Sequence, residues 1–516
     1  MINTVFKGKL FASTHLQPEP SQSTGLLDFP NEILLFILEQ VELDWDLFTL
    51  ASISRRLHYL ALPLFFARNG VSPFAGELIL FDARSYAVFR ALSIALFKPS
   101  LKQLRCTFDF AKPENIRRLG KLVANLSRIE EVFVNFMDTT YREPGFKPVK
   151  PLEFGPVAAK ELSEVFSAIM RKSARITIYD TSVWYAGSTA KELAAIGRKQ
   201  FSKYMLKSMT STVWDVARSI GSWLARGTGS DAPPVSSLSI DLYCSMLFHA
   251  SFFPWTLRAL NSTRLSTLSL RQLNMKHDKW EAILPPLIMP NLRNLTVESC
   301  SIPFLTLIKL LSRHPQITNL YLGRNLAPPS QSDPLPVGVL PRLTHVSATS
   351  QYLLYFLAPK TSLAILKSVS MIIRIQHGCY FDFRALNDTL LPISLRLKQI
   401  EFSLEISFVS SSDDWMLPDV APDQRLEATM RHVTKIDLKL AMYRLPRDII
   451  ASLPRWLMLF PRLKCVSLLT LTREWPMDLV ERTTFIRSIH AKCPWIETVG
   501  MNDFVHSVEV WLEFFR

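Results

Sequence analysis

The chain has 516 residues, enough for two to four domains or for one extended array. With 48% hydrophobic and 20% charged residues it is not a disordered chain. Its formal charge of +14 invites nucleic-acid or anionic-membrane partners, but the 59 basic residues contain no run of five, so no nucleic-acid ligand is expected.

Residues 1–25 read as a flexible N-terminal segment without an apolar core of signal-peptide length. The stretch "LLDFPNEILLFILEQVELDWDLFTLASISRRLHYLALPLFF", Leu26 to Phe66, comes next. Asp28, Pro30 and Glu32 predict a helix start: a capping acid, a proline in the first turn and a negative charge at the positive end of the dipole. Ile33, Leu34, Ile37, Leu38 and Val41 fall at helical spacing. "ELDWD" breaks the pattern. Leu47, Leu50 and Ala51 form a second stripe. Ile53, Leu57, Leu60, Ala61 and Leu64 form a third, interrupted at Pro63. A three-helix unit this small cannot bury so much apolar surface by itself. It has no cysteine and only one histidine, His58, so neither a disulfide nor a metal stabilises it, and its surplus apolar face is expected to be an interface.

This unit resembles the F-box, on Pro30, Glu32, Ile33, Ile37, Leu38, Asp46, Leu47, Leu50, Ala51, Ser54, Arg55 and Leu57. The ending "LHYLALPLFF" is similar to that of fungal-type F-box proteins, and Phe29 stands where leucine is usual. The resemblance covers residues 26–70. It implies docking onto the Skp adaptor, and through it onto a cullin, by Leu27, Pro30, Ile33, Leu34, Ile37, Leu38, Leu47, Leu50, Ala51, Arg55 and Leu57. It also implies that the remainder selects what is ubiquitylated.

Residues 71–516 are expected to form one array, in which from about residue 100 onward one phrase recurs, an optional proline and then Leu-x-x-Leu-x-Leu or a variant. Copies include "SLKQLRCTF", "LSRIEEVFV", "RLSTLSL", "PNLRNLTV", "PQITNLYL", "PRLTHVSA", "LKQIEFSL", "VTKIDLKL" and "PRLKCVSL", most neighbours being about 25 to 36 residues apart. Each ends in strand-like alternation, and helical runs such as "FLTLIKLLSRH" lie between. The expectation is an α/β fold: a degenerate leucine-rich-repeat-like solenoid with a parallel sheet on its concave side and no Asn ladder. Glycine is too scarce for a propeller, terminal alternation argues against a purely helical array, and a doubly wound sheet is the remaining alternative. Loops are expected at 139–156, 226–237, 327–338 and 410–424. An inserted basic amphipathic helix is expected near 189–226, with Phe201, Tyr204 and Met205 on its apolar side and Lys199, Lys203 and Lys207 opposite.

Alternation puts Leu292, Leu295, Val297, Ile317, Leu320 and Leu322 in the core and Glu298 and Gly323 outside. It gives a candidate substrate-binding stripe of Asn294, Thr296, Asn319, Tyr321, His345 and Ser347. No catalytic residue, cofactor or metal site is expected. "GTGSDA" at 227–232 comes after a helical run, the wrong context for a dinucleotide turn. The histidines lack ligand spacing, and Asp413-Asp414 lies in a serine-rich loop. The six cysteines read as buried thiols, and with no spanning segment the expected location is cytoplasmic or nuclear. The leading expectation is a substrate-receptor subunit of a Skp–cullin–F-box ligase. An F-box scaffold without a degradative role and an uncharacterised α/β enzyme are the alternatives.

Overall fold

A computed structural model describes residues 26–69, 77–80, 88, 90–92, 94–96, 100–109, 113–137, 156–180, 189–199, 238–273, 275–329, 335–336, 338–358, 363–375, 379–397, 400–408, 416, 430–440, 445–470, 477–502 and 504–514. Of the loops in the sequence reading, 139–155, 226–237, 410–415 and 417–424 lie outside these, as does most of the basic helix with Phe201, Lys203, Tyr204, Met205 and Lys207. A helix over 190–199 is present, capped where Thr189 and Glu192 exchange hydrogen bonds.

The fold is α/β. Among the described residues, fifteen strands, numbered in chain order from β1 (Glu77–Leu80) to β15 (Phe504–Ser507), form one sheet in strict chain order. Every neighbouring pair is parallel except the last, β14 (Thr498–Met501) with β15 (Phe504–Ser507). A doubly wound sheet needs a reversal of strand order at a switch point, and this order has none. Three successive strands, β7 (Asn294–Glu298), β8 (Asn319–Leu322) and β9 (His345–Ala348), carry the middle of the array, paired as Leu295↔Leu320↔Val346. Leu292, Leu295, Val297, Ile317, Leu320 and Leu322 are buried, as alternation requires.

The recurring proline has a plain role. In Pro290-Asn291-Leu292, Pro315-Gln316-Ile317, Pro341-Arg342-Leu343 and Pro461-Arg462-Leu463, the residue two places on is fully buried ahead of the next strand. Backbone bonds already run from turn to turn at that level: Arg293 N–H donates to Ser266 O, Thr318 N–H to Arg293 O and Thr344 N–H to Thr318 O, each at 2.8 Å. Helices such as Phe304–Ser312 place Leu307, Leu310 and Leu311 against the strand residues.

One apolar core runs from Leu38 in the N-terminal helices to Trp511 near the C-terminus. The N-terminal unit comprises α1 (Asn31–Glu39), α2 (Asp44–Ile53) and α3 (Arg55–Arg68). Two sequence expectations fail here. Asp28 is not the cap of α1: it ends a short turn, Leu26–Asp28, and Pro30 occupies the cap position without a side-chain bond. Pro63 does not interrupt α3, because Leu62, Phe65 and Phe66 are fully buried around it. Burying each is worth about 1.5–3 kcal/mol, which together exceeds the ~3 kcal/mol cost of an interior proline. His58 is buried and ties this unit to the chain segment beyond α3. Leu96 N–H donates to Nε2 at 3.0 Å, so Nδ1 carries the proton and donates to Ala51 O at 3.0 Å.

Some of the positive charge is used to tie one element to another. Cationic side chains cap the carbonyls at the end of an earlier helix or turn. Arg68 donates to Glu39 O at 2.8 Å and to Val41 O. Lys172 donates to Val123 O, Ala124 O and Leu126 O. Arg264 donates to Met170 O at 3.1 Å, and Arg313 to Leu284 O at 2.8 Å and to Pro285 O. Four of the six cysteines are buried as expected, but Cys465 is half-buried and Cys379 is exposed.

His314 links units in the same way. Met289 N–H donates to its Nε2 at 3.1 Å, and Nδ1–H donates to Leu310 O at 2.7 Å. Burial holds the imidazole below its ordinary value of 6.5, and the Arg313 charge adds to this against the Leu310 bond. The unfolded chain therefore takes up the proton first. The stabilisation is complete above pH 6.5 and is lost as pH falls through the depressed folded-state value. Thermal melts of the parent chain should show this acid destabilisation, and His314→Gln should lose that part of the pH dependence.

Candidate functional site

Two surfaces carry candidate residues. The first is the N-terminal unit. Leu34 and Leu38, four apart on α1, form its inner face, and Leu47, Ala51 and Leu57 are buried with them. These five of the expected docking residues are core of the unit itself, and Leu50 is half-buried. Leu27, Pro30, Ile33, Ile37 and Arg55 are exposed. The sequence reading missed Leu26, Phe29, Phe36, Leu43, Trp45, Ile53 and Tyr59, all large apolar or aromatic side chains in water. Phe36 is 64% exposed while Leu34, two residues earlier, is 1%. The sequence shows apolar residues all round α1, and only the packing decides which stripe faces in.

Arg56, rather than Arg55, organises this surface. Its Nε donates to Asn31 Oδ1 at 2.9 Å and its guanidinium to Phe29 O at 2.7 Å and to Leu27 O. The turn that carries Leu26, Leu27 and Phe29 is thereby fixed to α3. The Arg90 guanidinium lies 5.3 Å from the Trp45 ring centroid and 5.2 Å from that of Phe48, within cation–π range.

The second surface is the polar face of the sheet. The six expected stripe residues do meet, in two rows across β7, β8 and β9: Asn294, Asn319 and His345, then Thr296, Tyr321 and Ser347. His345 is exposed and the others are half-buried. Their availability is not uniform. Asn319 Nδ2 donates to Asn294 Oδ1, and Asn294 Nδ2 donates to Thr267 Oγ1 at 2.9 Å. A short polar ladder therefore exists where none was expected, and it occupies both asparagines. Gly323 lies on the same face as the Glu298 side chain, as alternation requires, but is buried beneath it. A Cβ there would stand 2.7 Å from Glu298 Cγ and 3.2 Å from its Cα.

Tyr321 reaches furthest. Its hydroxyl donates to Glu405 Oε1 at 2.8 Å, on β11 (Glu401–Phe408), three strands away. Lys439 on β12 (Val433–Leu440) bonds the same oxygen at 2.7 Å and lies 5.6 Å from the Tyr321 ring centroid. Four strand steps are about 19 Å on a flat sheet, where side chains stand parallel and could not meet. The sheet therefore curls toward its polar face. Burial, then the Glu405 charge, pushes the Tyr321 hydroxyl well above the usual phenol range, so it remains a donor.

Toward the N-terminal side this face carries an aromatic ladder, with Phe133 and Tyr179 stacked at 6.5 Å and Tyr179 and Tyr243 at 4.6 Å. Arg105 lies over Phe133 at 5.1 Å. Arg271 donates to Tyr243 Oη at 3.0 Å and stands 3.8 Å from Glu298. Burial raises both tyrosines, and for Arg271 the charges of Tyr243, Glu298 and Asp241 outweigh burial and raise it. Among the described residues no group of three His, Cys, Asp or Glu is placed to hold a metal, and no helix is long and apolar enough to cross a membrane.

Comparison with family models and with curated proteins finds no match to this chain.

Removing the Tyr321 hydroxyl leaves a nearly buried carboxylate with one partner fewer. Tyr321→Phe should cost about 1–3 kcal/mol. In a double-mutant cycle with Glu405→Gln, read by denaturant unfolding, the two changes should couple by at least ~0.5 kcal/mol. Additive effects would mean the bond is absent in solution.

Proposed function

We propose that this protein is the substrate-receptor subunit of a Skp–cullin–F-box ubiquitin ligase. In this reading α1 to α3 are the F-box, the strand array is an irregular leucine-rich-repeat-like solenoid, and its polar, inward-curled face is the concave surface that takes a protein substrate. One observation carries the docking half of the proposal. The unit that bears the F-box pattern exposes Leu27, Phe29, Ile33, Phe36 and Ile37 on its first turn and helix, while Leu34 and Leu38 complete its own core. Exposed apolar area of this kind marks an interaction site, and aromatic anchors such as Phe36 and Trp45 suit an interface centre.

The order of the strands supports the other half. A sheet that grows by one strand per unit presents one polar row after another on a single surface, the arrangement repeat proteins use to bind extended partners. The chain would supply proximity and leave transfer chemistry to its partners, raising the effective concentration of substrate lysines.

The test separates docking from folding. Phe36→Asp and Ile37→Asp place a charge on an exposed position, so each should fold with a change within about 0.5 kcal/mol yet fail to co-purify with a Skp-type adaptor. Leu34→Asp buries an unpaired charge and should unfold the unit. Adaptor capture by Phe36→Asp at the parent level would overturn the proposal.

A further inference from the structure

The polar face carries ion pairs between Arg271 and Glu298, between Lys439 and Glu405, and between Lys435 and Asp437 at 2.9 Å. Arg324 and Arg374 take part in none of these three pairs. Arg324 lies two residues past β8, and its Nε is buried without a hydrogen-bond partner among the described residues. Arg374 is exposed near the end of β10 (Ser368–Ile375).

The strand lengths place these two at the ends of strands with a gap between them. β9 ends at Ala348, which pairs with Leu322 on one side and Met371 on the other. Beyond that level Ile372, Ile373 and Arg374 pair only with β11, as Ile372↔Glu405, Ile373↔Ile406 and Arg374↔Ser407. The chain after β9 leaves for the helix Ser350–Phe356. Beyond Ala348, therefore, no strand among the described residues separates the ends of β8 and β10, and the gap is two strand spacings, about 10 Å before any curl. Burial and then the Arg374 charge hold Arg324 below the usual arginine value, against Glu298, Tyr321 and Glu405. Both of those carboxylates already have cations of their own.

A half-buried guanidinium with an unmet donor, beside a second of like charge, is unfavourable as it stands. It becomes favourable when an anion enters, because planar guanidinium forks match carboxylate and phosphate oxygens. We propose that Arg324 and Arg374 form an oxyanion subsite on the strand face, taking a phosphate or carboxylate group of the bound partner. This deepens the receptor reading and rests on it for the identity of the partner as a protein.

The test uses the full chain, titrated with inorganic phosphate and separately with acetate at constant ionic strength set by chloride. At least one probe should stabilise the chain saturably, and which one does so identifies the group. Arg324→Gln and Arg374→Gln should each weaken that response about tenfold, one charge-assisted bond's worth. Arg455→Gln, on the helix Arg447–Leu457, should leave it unchanged. No saturable response to either probe, or an equal response in the variants, overturns the subsite. A second readout guards against a merely structural role: without anion, Arg324→Gln should melt at or above the parent temperature, and a drop of several degrees overturns the assignment. Capture by a Skp-type adaptor, measured on the same variants, should be unaffected, so loss of the subsite and loss of the receptor reading give different results.

Discussion

A unit of one strand and one helix cannot bury its own apolar face, and the rest of this molecule is built around that constraint. Leu295 and Val297 are covered only because the neighbouring units supply the rest of a common core. The same requirement sets the parallel order of the strands. It also explains why prolines recur ahead of fully buried residues, and why cations from one unit cap the carbonyls of the one before. The net charge that first suggests a nucleic-acid partner is in part this internal stapling.

The constraint extends to the N-terminal helices. Leu38, Leu47 and Phe48 belong to the same core as the first strands, and His58 adds a hydrogen bond to Leu96. The unit is therefore held to the array by its inner face while its outer face stays apolar and exposed. Under the proposed function, that joint fixes the geometry between what docks and what is presented.

Much of this was legible in the sequence, and the exceptions have physical causes. The strands with Leu-x-x-Leu-x-Leu were readable, but β4 (Ser173–Asp180) and β10 escape that pattern because "SARITIYD" and "SVSMIIRI" use isoleucine, valine and threonine in place of the leucine phrase. Period-2 alternation placed the stripe on neighbouring strands correctly. It could not show that Tyr321 bonds Glu405, 84 residues away, since that contact depends on curl. Nor could it show that the asparagines satisfy each other. In α1, residues of equal hydrophobicity lie on opposite sides of the helix, so Leu34 was indistinguishable from Phe36 until packing separated them.

Hydrogen exchange of the full chain, with and without a Skp-type adaptor, tests the central claim most directly. The account predicts new protection confined to residues 26–59, with the amides of β7, β8 and β9 unchanged because they are already paired within the array. Protection appearing on those strands in place of the N-terminal helices, or no protection at all, would contradict it.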